Sequence, residues 1–296
     1  MVERLAARIA RLIAFHVGTL ESRRPLPERP EAGNFVILGR AILESERGSR
    51  VTRDAQAYFE KALALDPDSI FALQGLAAIK IDQIRNGWIP WDHRPVALHQ
   101  AEAAIERIIK LDHRNVGAHW LRGFLLRERG EVDHAIAALE HALSLNPNFS
   151  LALAELGRTK IDAGRAREGL QNIEEAIRIS PTDPNIHVRY FWAGMAAVHL
   201  ADDRAAVTWL LKARQANRYY AHTMQWLAVA YLGVGDEGKA RALMTEYLSH
   251  SPGYSIASWR RSMPSHSLIV IEQRKRIEDA QRRLGVTEGS SVAAQH

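Results

Sequence analysis

Apolar residues recur along nearly the whole chain at intervals of three and four, the spacing that predicts amphipathic helices. Runs that alternate apolar and polar residues are scarce, so we expect no sizeable β-sheet. The opening segment, residues 2–22, already shows the helical pattern, with one apolar face formed by Leu5, Ile9, Leu12, Ile13 and Val17. The pattern therefore predicts an all-α protein.

The opening helix has two interpretations. Its arginines and apolar face suit a helix that lies on a membrane surface, but they equally suit a cap over the open end of a helical array. We favour the cap, which would be followed by a Pro-rich link, so that residues 1–31 precede the array.

The strongest pattern is a period of 34 residues between positions 116 and 181. Under this period the equivalent pairs are Gly123 and Gly157, Leu139 and Ile173, Ala142 and Ala176, and Pro147 and Pro181. A glycine late in one helix, an alanine in the next and a closing proline at this period resemble the tetratricopeptide repeat. The small residues would let helices A and B of each repeat approach closely, and the proline would end helix B.

Six repeats are predicted over residues 32–254. The small residue that opens helix B marks them, at Ala55, Ala101, Ala135, Gly169, Ala206 and Ala240. The predicted fold class is an all-α tetratricopeptide solenoid, a right-handed superhelix with helical caps.

The second repeat carries 12 extra residues, 86–97, between its two helices. Trp88 and Trp91 lie in this insertion. Loop insertions in repeat arrays often carry binding, which makes the two tryptophans candidate binding residues. They could equally pack onto the neighbouring helices as local core.

Two more helices are predicted after the repeats, around 255–261 and 266–284, and together they would cap the array as residues 255–285. In the second helix the apolar residues expected to seal the last repeat are Leu268, Ile271, Ile277 and Leu284. The basic residues expected to point outward are Arg274, Lys275, Arg276, Arg282 and Arg283. The last eleven residues, 286–296, are expected to be disordered.

Composition narrows the possible functions. The chain has no cysteine, which excludes disulfides and thiolate metal sites. Its net charge is +5, but Lys and Arg are mixed with Glu and Asp throughout, so a nucleic-acid partner is not expected. No run of about 20 apolar residues and no signal peptide are visible, so we expect no membrane span and a cytoplasmic protein. The sequence leaves the oligomeric state open.

Candidate catalytic motifs are absent or misplaced. The segment 233–238, GVGDEG, matches the glycine spacing of a dinucleotide-binding loop, but that loop must follow a β-strand and here a helix is predicted before it. Thirteen histidines occur without the metal-binding pattern H-E-x-x-H. No nucleophile elbow or phosphate loop is found. We therefore expect a non-catalytic protein without cofactor or metal.

A partner-binding groove is the main functional prediction, because the A helices of stacked repeats line a concave face. The repeat register places there Phe71, Gln74, Trp120, Phe124, Arg127, Arg158, Phe191, Met195, His199 and Gln225. The two arginines are too few to clamp an acidic peptide tail, so this apolar and aromatic groove is expected to bind a polypeptide or a neighbouring domain.

Some of the aromatic residues could instead be core between repeats. Phe191 and Trp192 are adjacent, so at most one of them can face a groove. If the groove assignment holds, replacing Trp120 and Phe191 with alanine should abolish partner capture without unfolding the chain.

Several strings resemble one group of proteins in particular. Residues Ser180–Asn185, Tyr190–Gly194 and the segment from Pro252 onward resemble the C-terminal tetratricopeptide region of bacterial class III adenylate/guanylate cyclase-like proteins. In that group, and in related proteins with a DNA-binding winged helix, the region tends to follow a TolB-type domain. The family's two metal-binding carboxylates have no counterpart here, so cyclase activity is not implied for this chain.

The resemblance implies an alternative function: the chain would be the regulatory part of a cyclase-like signalling protein whose catalytic domain it lacks. A weaker third hypothesis, a nucleic-acid-linked regulator, rests on the basic C-terminal helix.

Overall fold

The computed structural model describes residues 31–45, 49–85, 88–262 and 268–289. These ranges contain fourteen α-helices, one 3₁₀ turn and no β-strand, which confirms the all-α prediction. The predicted opening helix and most of the Pro-rich link lie outside the described residues, as do positions 86–87 of the insertion and 290–296 of the expected tail.

The chain forms two compact units, and unit 1 comprises residues 1–152. Consecutive helices of unit 1 pack as pairs, of which the first member is here called the A helix and the second the B helix. The elements are α1 (Ala32–Ser45), α2 (Ser49–Leu65), α3 (Ile70–Arg85), a 3₁₀ turn (Trp91–His93), α4 (Arg94–Leu111), α5 (Val116–Glu128) and α6 (Val132–Leu145). The A helices of unit 1 are therefore α1, α3 and α5.

Unit 2 comprises residues 153–296 and begins within its first helix. Its elements are α7 (Ser150–Asp162), α8 (Ala166–Ile179), α9 (Ile186–His199), α10 (Asp203–Ala216), α11 (His222–Gly233), α12 (Glu237–His250), α13 (Ile256–Ser262) and α14 (Leu268–Arg283). Its A helices are α7, α9 and α11, and the last two helices follow the repeats.

Small residues mark the positions where paired helices cross. A Cβ atom on Gly157 would lie 2.5 Å from the carbonyl oxygen of Gly169, so only glycine permits this approach of α7 and α8. In unit 1 the ring of Phe59, which is fully buried, fills the space beside Gly39 and Gly75. The periodic small residues therefore set the spacing of helices, as the repeat pattern predicts.

The turn from helix A to helix B uses one residue with positive φ. That residue is Gly130, Gly164, Ala201 or Gly235 in the last four repeats, with φ of 80°, 82°, 58° and 88°. The GVGDEG segment contains the last of these turns and follows helix α11, so the strand that a dinucleotide-binding loop requires is not there.

The insertion ends in a helix. Helix α3 ends at Arg85, and α4 begins at Arg94 with a proline in its first turn, where the missing N–H costs nothing. The last four residues of the predicted insertion, 94–97, are therefore helical.

The expectation for the C-terminal helix is right for Ile277 and Leu284, which are buried, and wrong for Leu268, Ile271 and Arg274. Leu268 is 82% exposed and Ile271 is also exposed. The buried residues are Val270, Arg274, Ile277, Glu278, Gln281 and Leu284. All of them except Glu278 follow a spacing of four, three, four and three residues, a helical stripe that places an arginine and a glutamine inside.

Order also continues past the predicted end of the cap. Val286 is buried, the Ile256 N–H donates to the Thr287 carbonyl oxygen at 3.0 Å, and the Ala257 N–H donates to that of Glu288 at 2.9 Å. Residues 286–289 therefore pack on α13 instead of beginning a disordered tail.

Candidate functional site

The A-helix face of unit 1 brings together five of the predicted groove residues, here named the unit 1 face: Phe71 and Gln74 on α3, and Trp120, Phe124 and Arg127 on α5. Phe71 is 62% exposed, whereas Trp120 is half-buried and Phe124 is buried. This face therefore combines one fully presented aromatic ring with a packed aromatic floor.

Gln74 ties the two helices of this face together. Its Nε2 donates a hydrogen bond to Asn115 Oδ1 at 2.8 Å, and the same oxygen accepts from the Ala118 N–H at 3.0 Å. Asn115 is the N-cap of α5, so Gln74 fixes the first turn of α5 to helix α3.

The aromatic floor is held by rings and arginines. The Trp120 ring centroid lies 6.3 Å from that of Phe124 and 5.9 Å from that of Phe149. The guanidinium carbons of Arg85 and Arg127 lie 5.2 and 5.3 Å from the Phe124 centroid, within the range of cation–π attraction. These contacts hold the floor rigid.

Arg127 is paired with a neighbouring carboxylate. Its Nη2 lies 2.9 Å from Glu128 Oε1, and Glu128 Oε2 lies 3.2 Å from Arg94 Nη2. One carboxylate thus contacts two arginines on this face.

The tryptophans of the insertion lie at the end of α3. The Trp88 N–H donates to the Gln83 carbonyl oxygen at 2.9 Å, and the Trp88 residue is 36% exposed. Trp91 begins the 3₁₀ turn. A binding role for either tryptophan stays a prediction.

The predicted groove residues of unit 2 lie in a different setting, because most of them are buried. Those below 9% exposure are Phe191, Met195, His199 and Gln225. The Phe191 centroid lies 5.2 Å from that of Tyr220 and 6.4 Å from that of Trp226. This packing favours the interpretation of Phe191 as core between repeats, whereas Arg158, which is partly buried, pairs with Asp162 one turn further along α7.

The C-terminal helix α14 covers part of this face. His199 Nδ1 lies 3.0 Å from Gln273 Oε1. The Arg276 guanidinium donates to both carboxylate oxygens of Asp203 and to the Val198 carbonyl oxygen, each at 2.8 Å. We name His199, Asp203 and the Val198 carbonyl the α14 seat.

Burial controls the charges under α14. It lowers the pKa of His199 to about 4, so the imidazole is neutral near pH 7. The Nδ1–H of this neutral ring donates to the side-chain oxygen Oε1 of Gln273. Burial also lowers the pKa of Arg274, although the nearby Asp162 carboxylate opposes that shift. Arg274 lies over Trp259, with its guanidinium carbon 5.9 Å from the ring centroid.

Sequence reasoning missed the residues that fasten α14. Gln273, Arg276 and Asp203 lie outside the repeat pattern, and 73 residues separate the two charged partners. A basic residue on an expected outer helix face carries no signal that it folds back onto another repeat.

Two other kinds of feature, a metal-ligand cluster and a membrane-spanning helix, do not occur among the described residues. In the described ranges, His, Asp and Glu side chains form no group of three or more that could hold a metal ion. No described helix is both long and apolar enough to cross a membrane.

Known proteins resemble this chain in its repeats. The sequence model of the tetratricopeptide repeat family matches residues 116–149, the segment where the period is clearest. No curated protein matches the chain.

Solved structures extend the likeness to most of the chain. A chain of the APC/C hetero-tetramer Cut9–Hcn1 matches with a TM-score of 0.65 and 18% identity, over 83% of this chain and 43% of the other. PilF of Pseudomonas aeruginosa matches with a TM-score of 0.55 and 18% identity, over 75% of this chain and 93% of the other. The human IFIT1 dimer with m7Gppp-AAAA matches with a TM-score of 0.64 and 17% identity, over 88% of this chain and 63% of the other.

These likenesses show the fold alone, because the identities are low and this chain spans less than half of the first protein. The fold is an all-α tetratricopeptide solenoid, a repeat scaffold typical of protein-interaction modules.

Proposed function

We propose that the protein is a non-catalytic interaction module that binds a polypeptide on the unit 1 face. The observation that carries the proposal is Phe71, a phenylalanine that presents 62% of its surface to solvent on an A helix. Aromatic anchors of this kind contribute most of the binding energy at many protein interfaces.

The other residues of the unit 1 face support this role. Gln74, one turn along α3, is held by Asn115, and the Trp120–Phe124 floor is fixed by rings and arginines. Little side-chain entropy is therefore lost when a partner arrives, which favours affinity. The neutralised charges of Arg127 and Glu128 suit the apolar side of an amphipathic helix better than an acidic tail.

A nucleic-acid partner is disfavoured by the pairing of basic residues in unit 2. Arg276 pairs with Asp203, and both Arg260 and Arg282 pair with Glu278. Each pair reduces the positive charge that phosphates would meet, so we expect no salt-sensitive DNA binding by the C-terminal helix.

Capture of a partner from an extract of the native host tests the proposal. We expect Phe71→Ala to weaken capture by about thirtyfold, the effect of losing an anchor worth about 2 kcal/mol. Tyr219→Ala is the matched control, because Tyr219 in unit 2 is 84% exposed and lies away from this face in the sequence. Equal capture by wild type and Phe71→Ala would contradict the proposal.

Regulation of a cyclase-like catalytic domain is the second candidate. It rests on the resemblance of residues Ser180–Asn185, Tyr190–Gly194 and the C-terminal segment. An immunoblot of host extract tests it: a band well above 33.2 kDa would support a covalently attached domain, whereas a band at that mass would contradict it.

A further inference from the structure

Helix α14 lies on the unit 2 A-helix face as a ligand helix would, although it belongs to the same chain. It reaches the C-terminal end of α9 through Gln273 and the start of α10 through Arg276. These contacts join α14 to both helices of the fifth repeat, and an amphipathic helix docks on a groove through such contacts.

The α14 seat supplies three hydrogen-bond acceptors to one arginine, Arg276. Asp203 accepts two hydrogen bonds from Arg276, and the Val198 carbonyl oxygen accepts a third. A Cβ atom at Gly233 would collide with the Asp203 carboxylate, so glycine at the end of α11 leaves room for it. Three separate helices thus contribute to one arginine-binding corner.

The fit of α14 leaves buried polar atoms without partners, although its Ile277 belongs to the core of unit 2. His199 Nε2 and Arg274 Nε are buried, and neither has a hydrogen-bond partner among the described residues. Native cores satisfy nearly all such atoms, because each unsatisfied one costs free energy. These atoms weaken the hold of the face on α14.

The first turn of α14 adds to this weakness. Leu268 is 82% exposed and Ile269 is also exposed, so apolar side chains at this end gain little from the docked position. Burial starts at Val270, and specific polar contacts start at Gln273. Within the first turn only Val270 is buried, so most contacts that hold the helix come from its later turns.

We propose that the α14 seat is a second helix-binding site, and that α14 occupies it as an exchangeable internal competitor. The occupant that displaces α14 is an amphipathic helix of another polypeptide with the same chemistry. That helix carries an amide side chain opposite His199, an arginine three residues later opposite Asp203, and an apolar residue directly after the arginine. The complementary charge of Asp203 and the neutral imidazole of His199 set this pattern.

A labelled synthetic peptide spanning residues 268–289 serves as the probe, with the full-length chain as receptor. Arg276→Ala in the chain loosens its own α14 but leaves the seat intact. We expect this variant to bind the peptide about tenfold more tightly than wild type, because a larger fraction of the seats is free. Adding Asp203→Asn, which removes the acceptor charge, should abolish the gain.

The matched control is Lys275→Ala, which removes a positive charge from the same helix. Lys275 pairs with Glu272 within α14, so its loss should leave peptide affinity unchanged. The same gain in Lys275→Ala as in Arg276→Ala would overturn the proposal.

Hydrogen exchange on the same variants separates exchange of the helix from unfolding. We expect faster exchange of α14 amides in Arg276→Ala while α9–α12 keep their protection. Loss of protection across unit 2 would overturn the proposal, because α14 would then be structural. Fast hydrogen exchange of α14 without a gain in peptide binding would overturn it too. If the wild-type chain formed dimers by swapping α14 between two copies, the assigned occupant would be wrong. Since none of these readouts involves Phe71, the result is independent of the unit 1 face.

Discussion

Phe71 and Phe191 both lie on A helices and are both predicted to line the groove, yet the structure gives them opposite surroundings. Phe191 is 5% exposed and packs against Tyr220 and Trp226, whereas Phe71 is 62% exposed. Truncating a buried phenylalanine to alanine costs about 3–5 kcal/mol through lost burial and the cavity left behind. At Phe71, most of the ring is already in water, so the cost is about 1 kcal/mol.

Hydrogen exchange measured by mass spectrometry resolves the two units, which need not unfold together. We expect Phe191→Ala to speed exchange of the most protected amides in α9 and α11 by on the order of a hundredfold or more. Phe71→Ala should change the amides of α3 by less than about tenfold. If Phe191→Ala left α9 within about tenfold of wild type but abolished partner capture, Phe191 would face a partner and our reasoning would be refuted.

Three further predictions concern backbone and pH. Gly157→Ala should destabilise unit 2 by roughly 1–3 kcal/mol in urea unfolding because its Cβ would meet a backbone oxygen, whereas Gly33→Ala, with open space around it, should stabilise α1 by about 0.5–1 kcal/mol. Ala201→Gly should raise the free energy of unfolding by about 1 kcal/mol, because Ala201 has a φ of 58°, which glycine adopts more easily. Gly235→Ala should lower the free energy of unfolding by a similar amount, because Gly235 has a φ of 88°. Folding lowers the pKa of His199 from 6.5 to about 4. Between pH 6.5 and about 4, the unfolded chain binds a proton at His199 and the folded chain does not, so the free energy of unfolding falls as the pH drops through this range. Wild type should lose roughly 3 kcal/mol there that a His199→Gln variant does not lose, and parallel pH profiles of the two would contradict the assignment.

The repeat fold could be predicted because its determinants are local and periodic. Gly123 and Gly157, 34 residues apart, are small residues inside an A helix, and Pro147 and Pro181 follow B helices at the same interval. Each of these residues sets a close helix approach or a helix end within its own repeat. The repeat fold can therefore be predicted without knowing any contact between distant residues.

The exposure of the predicted groove residues could not be predicted in the same way. The register places both Phe71 and Phe191 on A helices, but their exposure depends on what packs over them. The loop that carries Tyr220 and the helix that carries Arg276 cover the unit 2 face through contacts that no periodic pattern encodes. The buried stripe of α14 was predicted only at Ile277 and Leu284, because it also includes Arg274 and Gln281, which a reading by hydrophobicity places outside.

The two A-helix faces are therefore unlike in the part of the chain that the structure describes. The unit 1 face presents Phe71 to solvent, and the unit 2 face carries the chain's own helix at His199 and Asp203. Binding at the first needs no rearrangement, whereas binding at the second requires α14 to leave.

Site-specific crosslinking tests the central claim most directly. The photoreactive residue benzoylphenylalanine would replace Phe71 in one sample and Tyr219 in another, since both are exposed aromatic positions. After irradiation in host extract, we expect a crosslinked polypeptide from position 71 and none from position 219. No adduct at position 71, or the same adducts from both positions, would contradict the claim that the unit 1 face binds a polypeptide partner.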